Sequence, residues 1–457
     1  MNEKIKSIFT DPVFLRKTVM IAVPVAAQAL LNTVTNMVDT MMIGTLGETV
    51  IAGVGLANKV FFVFNLLIFG IASGVSVLSA QFWGNHDVKN IRKVLGLSLT
   101  IGLVGSLFFV LPSFFASRFV MRIFTDSPVS SAAGAKYLQL VCLSYPFTAV
   151  TNIYVAVMRS MGRVKIPVIT STIAIFVNVF LNYTLIFGHF GAPALGVTGA
   201  AIATLTARIV EMVCVFIYVY RWKTELAARF SELFGCPPGL RREYVRTSLP
   251  VIGNEFMWGL GVTMYSLAYG RMGDTAVAAI TISQTIQDMI LVFFQGIAAA
   301  ASVILGNELG AGRTKEAGQD ASRLLWLQML LSLALGLFCI LTRNILVSIY
   351  DVSDEVFQGA ALCMVVYGLF LPFKMTNTVN IVGVLRSGGD TRFCLILDSG
   401  SVWLIGVPLT FLGALFFHFP IHLVFAMNMA EEVVKFFIGY WRYKKKRWIK
   451  NLTTGIA

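Results

Sequence analysis

The first apolar stretch of the chain carries a row of polar side chains, one of which is acidic. Gln28, Asn32, Thr35, Asn36 and Asp39 recur at three- or four-residue intervals, which places them on one face of a helix. Because an ionisable group in hydrocarbon is costly, Asp39 must face the interior of a helical bundle. One carboxylate with neutral oxygen donors suits Na⁺. A lone buried carboxylate equally suits H⁺, since protonation makes it neutral. The alternative is that Asp39 only caps or packs the bundle.

Two further acids, Glu255 and Asp398, lie in apolar stretches of the second half. Acids within membrane spans are functional candidates in their own right, so we expect a second cation-coupling site there. Glu255, like Asp39, could bind Na⁺. For Asp398, a buried hydrogen bond to a neighbouring helix is the competing interpretation.

Other side chains are candidates for contact with a transported molecule. Gln284 and Asp288 lie one helical turn apart and give their stretch a polar face. Flexible methionine and aromatic faces suit varied hydrophobic cations. The predicted lining of a substrate cavity comprises Gln28, Asn32, Asn36, Met257, Trp258, Tyr265, Gln284 and Asp288.

Membrane-spanning helices must position these residues. Of the 457 residues, 57% are hydrophobic and only 13% are charged, against about 25% in ordinary soluble domains. A spanning helix needs about 20 mostly apolar residues. The predicted spans are 18–46, 50–82, 92–117, 130–158, 166–188, 195–220, 247–270, 277–307, 320–342, 356–385, 393–416 and 420–441. We therefore predict an all-α polytopic membrane protein with twelve transmembrane helices. Strands of a β-barrel would be short and would alternate in polarity.

The placement of the basic residues predicts the orientation of these spans. Most of the 36 Lys and Arg residues lie on one set of connections and on the two tails, whereas the opposite connections hold only Arg118, Arg122, Arg271 and Arg343. By the positive-inside rule, both termini are cytoplasmic in a multi-pass protein of the plasma (cytoplasmic) membrane. The net charge of +13 therefore indicates membrane topology and no nucleic-acid partner.

The chain is an internal duplication. Shifting the sequence by 226 residues aligns residues 24–84 with 250–310 without a gap. The aligned residues include Pro24 with Pro250, Gly44 with Gly270, Gly47 with Gly273 and Gly84 with Gly310. Each half then has six spans in the same orientation, which predicts two pseudo-symmetric lobes around a central cavity. Duplicated bundles of this kind are the usual frame for alternating access.

The duplication divides the chain into five parts. We predict a cytoplasmic N-terminal segment (1–17), an N-lobe (18–220), a cytoplasmic linker (221–246), a C-lobe (247–441) and a basic cytoplasmic tail (442–457). The acids do not follow the repeat, because Glu255 aligns with Ala29 and Asp39 aligns with Tyr265. The two lobes are therefore expected to have different roles in cation binding.

Three short stretches resemble the multidrug and toxic compound extrusion (MATE) family, and with the duplication the resemblance covers nearly the whole chain. They are Asn36-Met37-Val38-Asp39-Thr40-Met41-Met42-Ile43-Gly44 after Pro24, the residues Leu249-Pro250, Asn254-Glu255 and Trp258, and the run Leu385-Arg386-Ser387-Gly388-Gly389-Asp390-Thr391. The resemblance implies two six-helix lobes. It also implies export of cationic or amphipathic small molecules in exchange for H⁺ or Na⁺.

The resemblance also implies roles for particular residues. In many MATE proteins an acid of the first helix acts with two polar residues of the fifth helix and a threonine of the sixth, a pattern that Asp39, Asn178, Asn182 and Thr204 match. The departure is Asn182, where some relatives carry a second acid. Pro24 breaks a backbone hydrogen bond within the first span, and relatives link protonation near the acid to a bend there. Pro24 is thus a candidate hinge, with a static kink as the alternative.

Other functions remain open at this point. A flippase of lipid-linked sugars or polysaccharides, from the same superfamily, would need a cationic cavity. An intramembrane enzyme or a channel would be a different class. The sequence has no G-x-x-x-x-G-K-[ST] phosphate loop, no G-x-S-x-G motif and no histidine spacing typical of zinc sites. We expect no cofactor beyond the coupling ion, small-molecule substrates and membrane lipids as partners, and a monomer.

Overall fold

The computed structural model describes residues 11–125 and 127–454, and these are almost entirely helical. The first half has six long helices: α1 (Pro12–Gly44), α2 (Glu48–Gly84), α3 (Val88–Phe115), α4 (Pro128–Ser160), α5 (Lys165–Phe187) and α6 (Val197–Arg221). The second half has six more: α7 (Pro238–Gly270), α8 (Asp274–Gly310), α9 (Thr314–Val347), α10 (Asp354–Gly388), α11 (Thr391–Phe416) and α12 (Ile421–Lys444). The all-α, twelve-helix prediction is confirmed. Residues 1–10 of the predicted N-terminal segment lie outside the described residues.

Ten of the twelve helices are long and apolar enough to cross a membrane by length and composition, all except α7 and α12. Helix α7 begins at Pro238, nine residues before the predicted start of its span at 247. Proline suits the first turn of a helix. The additional turns carry Arg241, Arg242 and Arg246 and so continue the helix beyond its apolar part.

Large apolar side chains are exposed along the helices, the reverse of a water-soluble fold. Phe108 is 74% exposed and Leu404 is 80% exposed. Side chains of this size lie against lipid at little cost, since hydrocarbon tails are as apolar as they are. This pattern agrees with the apolar composition of the spans.

A glycine lies at the turn before the second helix of each half. Gly47 precedes α2 with φ of 111°, and Gly273 precedes α8 with φ of 102°. L-residues with side chains rarely adopt such angles. Glycine is therefore needed at the same turn in each half.

The described residues form two compact units, residues 27–252 and residues 11–26 with 253–454. The division falls within two helices. Helix α1 passes from one unit to the other after Ala26, two residues beyond Pro24, and α7 does so after Ile252, two residues beyond Pro250. Both prolines lie inside continuous helices.

The basic tail folds back onto its own unit. Lys446 adopts a left-handed conformation with φ of 53°, which ends α12 and turns the chain. Trp448 is then completely buried, and Asn451 Nδ2 donates a 3.2 Å hydrogen bond to the carbonyl oxygen of Gly310. The charged tail is thereby held at the ends of α8 and α12.

Candidate cation site

The Asp39 carboxylate faces α5. Asn182 Nδ2 donates a 2.6 Å hydrogen bond to Asp39 Oδ1 and contacts Asn178 Oδ1 at 3.2 Å. Asn178 and Asn182 are one helical turn apart and buried, and Asn182 bonds to the acid while Asn178 lines the same cavity as the acid. Within the described residues, no Lys or Arg forms an ion pair with Asp39 at 4.0 Å or less.

A cavity of about 40 Å³ adjoins this carboxylate. Its polar lining comes from three helices: Asn32, Thr35, Asn36 and Asp39 on α1, Ser171 and Asn178 on α5, and Thr204 and Arg208 on α6. A water needs about 10–15 Å³ and a drug-sized ligand about 300–1,000 Å³. The cavity therefore has room for water or a small cation and none for an organic substrate.

The oxygen atoms around this cavity form a suitable set of cation ligands. Asn182 is 1% exposed, and its Oδ1 has no hydrogen-bond partner among the described residues. A buried oxygen left in this state costs about 1–3 kcal/mol. Asp39, Asn178 and Thr204 line the cavity, and Asn182 lies beside it, bonded to Asp39. Their carboxylate, amide and hydroxyl oxygens are the donor types that hard cations prefer. Tyr137 of α4, which the sequence reading missed, interacts with Thr204.

Arg208 also lines the cavity but is paired elsewhere. Its Nη1 lies 2.9 Å from Glu211 Oε2 on the same helix. Glu211 is 6% exposed and accepts a 2.7 Å hydrogen bond from Ser171 Oγ, which in turn accepts a 2.6 Å bond from Gln28 Nε2. Gln28 Oε1 accepts a bond from Arg159 Nη2 of α4. This network links α1, α4, α5 and α6, and among the described residues it leaves Asp39 without a direct ion pair, although Arg208 lines the same cavity.

The acids predicted for the second half are both in ion pairs. Asp398 Oδ1 lies 2.8 Å from Lys435 Nζ of α12, and Asp398 Oδ2 accepts a 2.9 Å bond from Asn254 Nδ2. Glu255 Oε1 accepts a 3.0 Å bond from Arg386 Nη2, and Arg386 is only 2% exposed. The neighbouring-helix hydrogen bond foreseen for Asp398 is therefore present, together with a lysine that the sequence reading did not identify.

Lys435 is surrounded by acids. Its side chain is 4% exposed, and its Nζ lies 3.7 Å from Glu431 and 3.6 Å from Glu432, in addition to the acid of α11. The Tyr265 hydroxyl donates a 2.9 Å bond to Glu431, and Asn377 Nδ2 donates a 2.8 Å bond to Glu432. Three carboxylates thus share one buried ammonium group.

The two networks occupy corresponding positions in the repeat. The residues related by a shift of 226 or 227 are Gln28 with Asn254, Arg159 with Arg386, Ser171 with Asp398, and Arg208 with Lys435. In each half, an amide of the first helix bonds to the fifth-helix side chain. The carboxylate of Asp398 therefore replaces a serine hydroxyl, and the second half has an acid on its fifth helix where the first half has none.

The remaining predicted residues have varied surroundings. Gln28 is buried with both ends of its amide bonded, and Tyr265 is bonded to Glu431. Met257 and Trp258 are 38% and 41% exposed on α7.

Gln284 and Asp288 are both exposed on α8. A carboxylate on a membrane helix needs water or a protein partner. Asp288 therefore remains a candidate residue for the lining of a water-filled cavity.

A pattern in the sequence could have revealed the acid and lysine cluster of α12. Asn428, Glu431, Glu432 and Lys435 recur at intervals of three, one and three residues, the same stripe pattern that identified Asp39. Within the described residues, no group of three or more His, Cys, Asp or Glu could hold a metal ion.

Comparison with known proteins agrees with this architecture. The model of the MatE family matches the chain twice, over residues 24–184 and 250–412. The chain belongs to the MatE family. The two matches begin 226 residues apart, at Pro24 and Pro250, the shift that relates the two halves. As a MatE protein the chain is a membrane transporter and not an enzyme, and its resemblance to this family is confirmed.

Individual relatives are similar over nearly their whole length. The chain is 26% identical over 412 residues to the probable multidrug resistance protein NorM of Thermotoga maritima, covering 89% of this chain and 87% of that protein. It is 23% identical over 427 residues to the multidrug resistance protein MdtK of Yersinia pestis, covering 93% and 92%. The solved structure of the Vibrio cholerae MATE transporter VcmN superposes with a TM-score of 0.87 at 17% identity, covering 96% and 98%.

Proposed function

We propose that this MatE protein exports cationic and amphipathic small molecules across the plasma membrane in exchange for H⁺ or Na⁺, and that the cation binds at Asp39. Both termini are cytoplasmic in this proposal, and alternating access of two lobes carries the substrate. The multidrug resistance proteins among its relatives support the substrate class.

The observation that carries the proposal is the state of Asp39. It is an acid of a membrane helix with an amide donor at 2.6 Å and no basic partner within 4.0 Å in the described chain. A carboxylate in such a place, with no direct ion pair, is stabilised by binding a cation or a proton. Asn178, Asn182 and Thr204 would supply the other oxygen ligands. A cation drives transport only if it binds the two conformations unequally.

Glu255 and Asp398 enter the proposal with a different mechanism. Each is already neutralised, by Arg386 and by Lys435. A proton or Na⁺ can bind there only by displacing the basic group, so the second half would couple through exchange of ion pairs. The exposed Met257 and Trp258, with Asp288, are proposed to contact substrate.

Pro24 is proposed to be the hinge. It lies inside α1, two residues before the helix passes from one compact unit to the other. Since proline leaves one backbone carbonyl without its helical donor, bending at this point is inexpensive. Pro24→Ala should lower the transport rate while leaving cation affinity at Asp39 unchanged.

Efflux of a fluorescent lipophilic cation from proteoliposomes tests the proposal. Na⁺ and pH gradients are imposed separately on wild type, Asp39→Asn and the control Asp351→Asn, which removes an exposed acid outside the spans. We expect gradient-driven efflux that Asp39→Asn abolishes and Asp351→Asn retains, and the effective gradient identifies the ion. Efflux unchanged in Asp39→Asn would show that Asp39 does not couple transport to the cation. The coupling role would then be assigned to Glu255 and Asp398.

The flippase alternative has one observation in its favour. Arg159, Arg208, Arg386 and Lys435 are basic groups inside the helical bundles, more than the acid-rich reading of the sequence suggested. All four bond to side chains of their own half. If no gradient drives efflux, the flippase alternative is tested by measuring the transfer of a fluorescent lipid-linked sugar between the two leaflets.

A further inference from the structure

A groove of about 450 Å³ lies in the second half, and neither Lys435 nor its three carboxylates line it. It exists because α9 and α12 both pack against α10 and leave a gap over it. Thr376 and Asn380 of α10 form its floor, and Trp326 of α9 and Tyr440 of α12 contribute to its walls. Binding pockets for small molecules typically have volumes of about 300–1,000 Å³.

Two buried polar atoms of the groove lack protein partners. Asn380 is 4% exposed and Trp448 is fully buried, and both line the groove. Neither Asn380 Oδ1 nor Trp448 Nε1 has a hydrogen-bond partner among the described residues. Asn380 lies in a wide π-helical turn, Val379–Leu385, a feature that is frequent at functional sites. One buried acceptor and one buried donor beside the groove are thus unpaired.

The rim of the groove is basic. Lys444 and Lys446 line it, both are exposed, and neither forms an ion pair of 4.0 Å or less within the described chain. Lys444 Nζ lies 4.9 Å from the ring centre of Tyr440, at the mouth of the aromatic wall. Burial of the Trp448 side chain holds the tail against the groove, and this contact keeps Lys444 and Lys446 at its rim.

We propose that the groove binds an anionic phospholipid with a glycerol-type headgroup, such as phosphatidylglycerol. Lys444 and Lys446 bind the phosphate, Trp448 Nε1 donates to a phosphate or ester oxygen, and Asn380 Oδ1 accepts a hydrogen bond from a headgroup hydroxyl. The first part of an acyl chain lies against the aromatic wall. Basic pockets between helices near a membrane surface bind anionic headgroups in this way. The inference stands independently of the transport function.

Native mass spectrometry of the full chain in detergent, titrated with phosphatidylglycerol or phosphatidylcholine of equal acyl chains, tests the proposal. Lys444→Gln with Lys446→Gln removes two charges that line the groove. Lys445→Gln with Arg447→Gln removes two neighbouring charges that do not line it. With each lysine contributing about one kcal/mol, phosphatidylglycerol affinity should fall roughly thirtyfold in the first double variant. In the matched control it should change less than threefold.

A third variant tests the headgroup hydroxyl. Asn380→Leu should abolish the preference for phosphatidylglycerol over phosphatidylmethanol, a phosphodiester of the same charge without a headgroup hydroxyl, while retaining the preference for both over phosphatidylcholine. Equal losses in the two double variants would overturn the proposal, because they indicate attraction to the tail as a whole. Equal binding of phosphatidylcholine would overturn it too, as would competition by free glycerol 3-phosphate at the same concentration as the lipid.

Discussion

Replacing Lys435 by methionine should destabilise the second half strongly. Its ammonium nitrogen lies 2.8, 3.7 and 3.6 Å from the carboxylates of Asp398, Glu431 and Glu432. At an effective dielectric constant of 20, each of these contacts corresponds to about 4–6 kcal/mol of Coulomb energy. Much of that energy offsets the cost of removing the charges from water. Measured losses on removing one partner of a buried pair are about 3–5 kcal/mol, and we expect Lys435→Met to lie in that range.

Asp398→Asn should be milder, because Lys435 keeps two carboxylates within 4.0 Å and Asn254 keeps an acceptor. Loss of one charged hydrogen bond costs about 1.5–3 kcal/mol. The double variant that combines Lys435→Met with Asp398→Asn has one unpaired buried carboxylate fewer. It should therefore be more stable than Lys435→Met alone. The coupling energy between the two positions is expected to be about 0.5–3 kcal/mol.

Thermal unfolding of the purified variants in detergent at pH 5 and pH 8 measures these effects. The loss in Lys435→Met should shrink at pH 5, since protonation removes the unpaired negative charges. Lys374→Met serves as the control, because that lysine of α10 has no carboxylate within 4.0 Å in the described chain. The reasoning is refuted if Lys435→Met is no less stable than Asp398→Asn, or if its loss is the same at both pH values.

Three further predictions concern other parts of the chain. Asp11 accepts hydrogen bonds from two backbone N–H groups at the start of α1 and forms an ion pair, and these interactions lower its pKa from 3.8. Its contribution to stability is therefore present above pH 3.8 and lost as the pH falls through the lowered pKa, so Asp11→Ala should lower the melting temperature at pH 7 but less so at pH 3. Trp448→Ala should cost about 3–5 kcal/mol and make the tail sensitive to limited proteolysis, whereas Trp441→Ala, at a half-exposed position, should do neither. Asn182→Ala removes the 2.6 Å donor to Asp39 and should weaken cation binding about tenfold, measured as the cation concentration for half-maximal efflux; unchanged cation dependence would contradict the assigned contact.

Most helices could be predicted closely because long apolar segments enter a membrane, and ten of the twelve meet that criterion. The largest difference was at the start of α7, where the polar residues after Pro238 continue the helix nine residues outside the predicted span. Helices α1 and α9 each begin six residues before their predicted spans. Asp39, Asn178 and Asn182 could also be brought together from sequence, because their spacing fixes a helical face and the family resemblance pairs those faces. The positions of Gly47 and Gly273 could be read from the repeat before their positive φ values were known.

Partners from distant helices could not be predicted in the same way. Pairing Asp398 with Lys435, or Glu255 with Arg386, depends on how α7, α10, α11 and α12 pack, and spacing within one helix does not determine that packing. The burial of Trp448 in a strongly basic tail could not be predicted from the sequence either. In that segment the charges predicted only a basic cytoplasmic tail, whereas one buried aromatic side chain fixes where the chain lies.

The central claim is that movement of a cation at Asp39 is coupled to movement of substrate in the opposite direction. The most direct measurement starts from proteoliposomes without an ion gradient, imposes a gradient of lipophilic cation, and records internal Na⁺ and pH with entrapped dyes. The account predicts that the substrate gradient drives one of the two ions in the opposite direction in wild type, and that Asp39→Asn carries none. Substrate movement without counter-movement of either ion, or equal ion movement in Asp39→Asn, would contradict it.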